Sequence, residues 1–203
     1  MNDFDRKAQG WERDPAKRER ALLAGQAITA AVPVAGQRVL DFGCGTGLLG
    51  FALQPQAAHV TLADSSEGML EVVREKIWAS GVANLSALKL DLQEDHLPQE
   101  RFGLICSLLA LHHIPDTRDI LRKFHALLEP RGWVALLDLE REDGSFHGPQ
   151  VEVHHGFDPV TVQGNLILAG FRSVSLSRAF DIQRPTERGG GRYPVFLAIG
   201  RKS

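Results

Sequence analysis

A chain of 203 residues is long enough to bury one sizeable α/β core and short for two. With 25 acidic against 23 basic residues the formal charge is −2, so no global field draws the chain to the backbone of DNA or RNA, and no nucleic-acid partner is expected. Two cysteines, Cys44 and Cys106, are too few for a disulfide framework, and no apolar run reaches bilayer-spanning length; free thiols, no membrane association and a cytoplasmic location are the expectations.

In chain order, the stretch Met1 to Gly10 is polar and unlike a signal peptide. After the charged residues Arg13 to Arg20, the alanine and leucine content of 21–31 predicts a helix, which Pro33 and Gly36 stop. Short apolar runs predict strands over 38–42, 59–63, 86–90, 103–108 and 133–139. Helices predicted over 48–53, 67–80 and 117–128 alternate with them. That alternation requires crossover connections, hence a parallel sheet with helices on both faces, an α/β/α class.

Beyond Glu140 the rhythm changes to a polar loop over 141–156, a helix over 158–169 ended by Gly170, and strands near 173–179 and 195–200. Two successive strands without an intervening helix pair as an antiparallel hairpin. Gly189-Gly190-Gly191, flanked by Arg184, Arg188 and Arg192, reads as part of a loop, and these arginines are candidates for an anionic ligand.

The most informative run is Val39-Leu40-Asp41-Phe42-Gly43-Cys44-Gly45-Thr46-Gly47, an apolar strand breaking into a glycine-rich turn. Only glycine lets the backbone turn sharply and lets a ligand lie against bare main chain. Asp64 closes the next apolar run, where a carboxylate at a strand tip can accept both hydroxyls of a ribose. Gly45-Thr46-Gly47-Leu48-Leu49-Gly50 also satisfies the dinucleotide pattern, so an NAD-dependent oxidoreductase is a rival reading. Asp41 argues against it: a pyrophosphate gains nothing from a second negative charge beside the turn, whereas the sulfonium and ammonium of S-adenosylmethionine do.

From these residues on, the chain resembles the class I S-adenosylmethionine-dependent methyltransferases of the small, single-domain kind. Residues 39–47 match the family's first motif and 60–70 its second, whose acid, here Asp64, holds the ribose. Residues 88–92 are similar to the third, whose acid, here Asp91, contacts the adenine amino group. Residues 102–115, with Leu111-His112-His113-Ile114, resemble the fourth strand and its exit loop, and 127–133 the turn before the fifth. Phe4 to Trp11 resembles the segment that closes over the cofactor. The resemblance implies a seven-stranded Rossmann-like sheet in a single domain. Within it, 1–35 form a helical cover, 36–140 bind S-adenosyl-L-methionine, and 141–203 supply a loop, a helix and a terminal hairpin.

It also implies roles. Asp41, Gly43, Cys44, Gly45 and Gly47 would form the cofactor turn, with Asp64 and Ser65 at the ribose edge. Leu92 would offer main-chain N–H to adenine beside Asp91, and Met69 either packs on the ring or belongs to the core. Ser107 and Leu108, with Ala110, would floor the site beneath the transferring methyl. His112 and His113 leave the fourth strand beside the reaction centre as candidate catalytic bases, the alternative being that they brace backbone carbonyls.

The stretch 138–147 and the pair His154-His155 are rich in titratable groups; with Trp11, His147, His154 and His155 are candidates for contact with a small-molecule acceptor. Their spacing matches no compact metal motif, so no metal is expected. The activity expected is in-line methyl transfer, which needs alignment and exclusion of water more than a strong base. A protein that binds the cofactor or its demethylated product without turnover is a second rival, and aminopropyl transfer a third.

Overall fold

The computed structural model describes residues 3–148, 151–186 and 189–203. Its strands are β1 (Arg38–Phe42), β2 (His59–Asp64), β3 (Leu85–Lys89), β4 (Phe102–Leu108), β5 (Leu128–Leu139), β6 (Arg172–Thr186) and β7 (Gly189–Arg201). They form one seven-stranded sheet in the order β3-β2-β1-β4-β5-β7-β6. The pairings from β3 across to β5 are parallel, whereas β7 runs antiparallel to both neighbours. The chain builds β2 and β3 on one side of β1 and then crosses to start β4 on the other. Between the carboxyl ends of β1 and β4 the connections therefore diverge, leaving a crevice where ligands bind in such sheets.

The helices are α1 (Asp3–Lys7), α2 (Pro15–Ala31), α3 (Leu48–Leu53), α4 (Glu67–Ser80), α5 (Thr117–Leu127) and α6 (Pro159–Leu168), with a 3-10 segment Ala8–Arg13 between α1 and α2. Side-chain caps start four of them: Asp14 accepts from Ala16 N, Ser66 from Met69 N, Asp116 from Asp119 N and Asp158 from Thr161 N. Each such cap is worth about 1 kcal/mol.

Alternation along β1 divides the core. Val39 packs with Val60, Leu62, Leu104 and Leu137 on the face covered by α2, α3 and α4. Leu40 and Phe42 pack with Ile105, Phe124 and Leu136 on the face covered by α5 and α6. The same alternation turns Asp41 toward α3, a placement that matters below.

Three sequence expectations shift. The helix expected over 21–31 starts at Pro15, because Asp14 caps it and proline suits the first helical position. The turn expected before β5 persists as a bulge: Leu128 pairs with Phe102 and Trp133 with Leu104, and Arg131 between them has a φ of 65°. The glycine triplet is strand, not loop, with Gly191 paired to Arg184 and Gly190 to Pro185. Because β5 stops opposite Val195, the β6–β7 ribbon runs on beyond the carboxyl edge of the sheet. Among the described residues no helix is long and apolar enough to cross a membrane.

Candidate functional site

The glycine turn sits at the carboxyl end of β1 and is held from below and from the side. Asp41, buried at 1% exposure, accepts a hydrogen bond from Gly50 N at 2.8 Å, so its carboxyl pins the first turn of α3. Burial pushes its pKa up to about 7, opposed by the Gly50 N–H and reinforced by the nearby Asp64. Asp64 accepts from Gly45 N at 2.8 Å through one oxygen and from Ser66 N at 2.8 Å through the other. Burial raises its pKa as well, against those backbone donors. A carboxylate oxygen has more than one acceptor site, so each retains room for a ligand hydroxyl.

Gly43 (φ 67°) lies so close to the β4 exit loop that a Cβ there would sit 2.5 Å from Cβ of Ala110. The turn and the loop carrying the histidines therefore touch. Ser107 reinforces the junction by donating from Oγ to Phe42 O at 2.9 Å. Cys44 N donates to Ala63 O at 3.0 Å and Gly47 N to Cys44 O at 2.8 Å, which completes the turn.

The other expected cofactor residues spread along the same edge. Ser66, rather than the exposed Ser65, is the buried cap of α4. Asp91 sits just past β3 and accepts from Gln93 N at 2.9 Å in an Asx turn. Met69 and Leu92 are buried at 1% and 0% exposure, and the Leu92 carbonyl accepts from Lys123 Nζ. Leu108 is half-buried at the end of β4, and the next residue, Leu109, takes a φ of 53°.

Beside the turn lies a cluster whose members come from distant parts of the chain. His112 Nδ1 is 2.6 Å from Asp138 Oδ1, and the same carboxylate accepts from His112 N and Leu139 N. Nδ1 therefore carries a proton, and it is the neutral ring that has its lone pair on Nε2. That Nε2 lies 2.9 Å from His147 Nε2, which donates to it. The His113 ring packs against His112 at 4.2 Å between centroids, the two planes inclined by 44°. Burial, with His112 as the next cause, pushes His113 down to about 3 and His147 down to about 4. Both imidazoles are neutral at pH 7.

The N-terminal segment ties the two halves together. Phe4 packs edge-on against Trp11 at 6.1 Å and against His113 at 5.1 Å. Trp11 Nε1 would lie 3.6 Å from a Cβ at Gly45, and Lys17 Nζ stacks 3.2 Å from the Trp11 ring centroid. Asp5 accepts from Ser66 Oγ at 2.6 Å and from Gly68 N at 3.0 Å. Glu12 pairs with Lys76, which also donates to Thr46 O at 2.8 Å.

The remaining candidates divide. His154 N donates to His112 O at 2.8 Å, and its Nε2 donates to Ile114 O at 3.0 Å; it braces the exit loop. His155 is half-exposed beside Glu142, 3.7 Å away. Arg184 donates to Phe146 O next to His147, Arg192 is engaged by Asp181, and Arg188 lies outside the described residues. Sequence reasoning did not assign Asp138, although the strand-end argument applied to Asp64 and Asp91 fits it equally, and it did not assign Asp5.

Comparison with known proteins agrees with this geometry. Residues 39–132 match the family model described as a methyltransferase domain. An uncharacterized methyltransferase of Schizosaccharomyces pombe is 32% identical over 160 residues, 71% of this chain and 55% of the relative. A ubiquinone biosynthesis O-methyltransferase of Pseudomonas aeruginosa is 33% identical over 114 residues, 56% of this chain and 49% of the relative. The chain thus spans about half the length of the curated relatives it matches.

Among solved structures, the putative methyltransferase in the Haloferax volcanii complex with the Trm112 activator superposes with a TM-score of 0.75 at 18% identity, covering 99% of this chain and 98% of the other. The YcgJ protein of Bacillus subtilis gives 0.73 at 17% identity, covering 89% and 97%. With the family model lying over the strand, turn and acid-tipped neighbour just described, the chain has the Rossmann-type fold of the class I S-adenosylmethionine-dependent methyltransferases.

Proposed function

We propose that the chain transfers a methyl group from S-adenosylmethionine to a small-molecule acceptor. The observation that carries this reading is the pairing of a glycine cradle clasped by Asp64 with a histidine cluster directly across the Gly43–Ala110 contact. The cradle fits the nucleoside: its glycines leave bare main chain at the end of β1, and Asp64 presents acceptors to a ribose. When bound, S-adenosylmethionine supplies a methyl group already activated by positive sulfur.

The protein's own work is placement. Asp64 orients the ribose, Asp91 and the Leu92 main chain border the adenine, and Gly43 to Gly47 let the methionine portion approach bare backbone. Asp41 keeps the turn in register through Gly50. Ser107 to Ala110 form the floor, and Phe4 and Trp11 exclude water from above.

The acceptor enters on the histidine side. An acceptor O–H takes the position that the His147 N–H holds and passes its proton to His112 Nε2, while Asp138 keeps His112 in the tautomer that can receive it. An oxygen acceptor suits this pair, in keeping with the O-methyltransferase relative named above. No separate substrate domain is evident among the described residues, so the pocket is built from α1, the His112-His113 loop and the stretch around His147.

Calorimetric titration with S-adenosylmethionine, its demethylated product and NAD tests the reading, with Asp64→Ala as control. Binding of the first two, lost in the variant, supports it, and turnover on an acceptor panel separates an enzyme from a non-catalytic binder. Binding of NAD alone overturns it.

A further inference from the structure

We infer that His112, His113 and His147 form a binding site for one divalent transition-metal ion, with Asp138 as the carboxylate that orients the central ligand. The three residues each offer a ring nitrogen, and these atoms all lie within 4.8 Å of one another. Zn–N bonds of about 2.0–2.1 Å place the nitrogens of a tetrahedral site about 3.3–3.4 Å apart, so the cluster closes on an ion by drawing its nitrogens in from at most 4.8 Å. His112 Nε2 and His147 Nε2 are already 2.9 Å apart.

The surroundings have the form a metal site requires. A ligating imidazole needs its other nitrogen held by an acceptor, and His112 Nδ1 has Asp138 at 2.6 Å, itself fixed by two backbone N–H groups. Among the described residues no hydrogen bond is made to either ring nitrogen of His113. Imidazole ligands suit zinc, copper, iron and nickel rather than magnesium or calcium. Lys7 and Arg184 oppose a cation here and Asp138 favours one, so the net field comes from the nearest carboxylate against two longer-range positive groups.

Three protein nitrogens leave a fourth coordination position. It belongs to the acceptor side, where Phe4 packs on His113. An ion there occupies the lone pair that the base reading assigns to a proton, so the two uses of His112 are exclusive. The inference rests on the cluster alone and not on methyl transfer, and metal binding is read without cofactor.

The experiment titrates chelator-treated protein with Co2+ and Zn2+, following the visible absorption of cobalt and the heat of zinc binding. One equivalent of Co2+ giving tetrahedral bands, displaced by Zn2+, is expected. His113→Gln and His147→Gln should each weaken binding at least about tenfold, and Asp138→Asn by about 10–100-fold. His155→Gln, on an exposed neighbour beside Glu142, should leave it unchanged. Titration of every variant with S-adenosylhomocysteine reports whether the fold and cradle persist, which separates failure of the metal site from failure of the nucleoside reading. Absence of stoichiometric binding, or binding indifferent to His113 and His147, overturns the inference and leaves the base reading of His112 standing.

Discussion

His112 Nδ1 and Asp138 Oδ1 are 2.6 Å apart with both side chains sealed from solvent, although they are separated by 26 residues of chain. The pair joins the β4 exit loop to the end of β5, and the carboxylate also satisfies two backbone donors. Asp138→Ala therefore orphans three buried N–H groups at once. At about 1–3 kcal/mol for each orphan, the loss should reach about 3 kcal/mol or more, read from urea unfolding. In metal-free wild-type protein, nitrogen NMR should find His112 protonated at Nδ1; a proton on Nε2 instead would sink the assigned tautomer.

Gly43→Ala should strike both stability and ligand binding. The new Cβ meets Ala110 at 2.5 Å while the residue keeps a φ of 67°. Overpacking costs about 1–3 kcal/mol and the left-handed backbone about 1–2 kcal/mol. S-adenosylhomocysteine affinity should fall at least about tenfold by calorimetry. Adding Ala110→Gly relieves the clash but not the backbone cost, so a double variant that melts no higher than the single one would contradict this account.

Asp41 gives the fold a pH dependence with a definite sign. Its pKa is about 7 in the folded protein against an ordinary carboxylate value of 3.8, so between those limits the folded state holds a proton that the unfolded chain releases. This group's contribution to stability therefore falls as pH rises through that window, by at most about 1.4 kcal/mol per pH unit. Asp41→Asn removes the titration while leaving an acceptor for Gly50. Relative to wild type, the variant should gain stability steadily from pH 4 to pH 7 in denaturant melts; a constant difference would refute the assignment.

Asp5→Ala should loosen the N-terminal cover without unfolding the core. Asp5 holds Ser66 Oγ and Gly68 N, and α1 lies so close that a Cβ at Gly68 would sit 2.8 Å from Asp5 Cα. The expected result is faster hydrogen exchange at the Gly68 amide and earlier proteolytic cleavage within residues 3–13, with the main unfolding transition lowered by less than about 2 kcal/mol.

What was legible in the sequence is what local physics controls. β1, β2, β4 and the end of β5 announce themselves because they are buried on both faces and so read as mainly apolar runs, whereas the edge strand β3 is only partly buried. The α4 boundaries follow from the Ser66 cap and Gly81 in the left-handed region. The Gly45–Asp64 clasp could be anticipated because strand order and glycine spacing fix both partners.

The histidine cluster could not be read the same way. His112 and His147 meet only because the loop after β5 folds back over β4, and no periodicity encodes a 35-residue separation. Asp5 on Gly68 is another contact of that kind, over 63 residues. The glycine triplet misled because glycine is depleted in strands, whereas here the ladder to Arg184 and Pro185 overrides composition.

The strand order β5-β7-β6 has a consequence for how the chain assembles during synthesis. β7 is made after both β5 and β6, yet it lies inside the sheet, between them. Until Val195 to Ile199 emerge, the edge of β5 from Ala135 to Leu139 and the facing side of β6 have no partners. A nascent chain therefore displays two unpaired strand edges until β7 is made, and interruption there leaves a species built for adhesion to other chains. The strand that completes the fold is also the one whose absence is most hazardous.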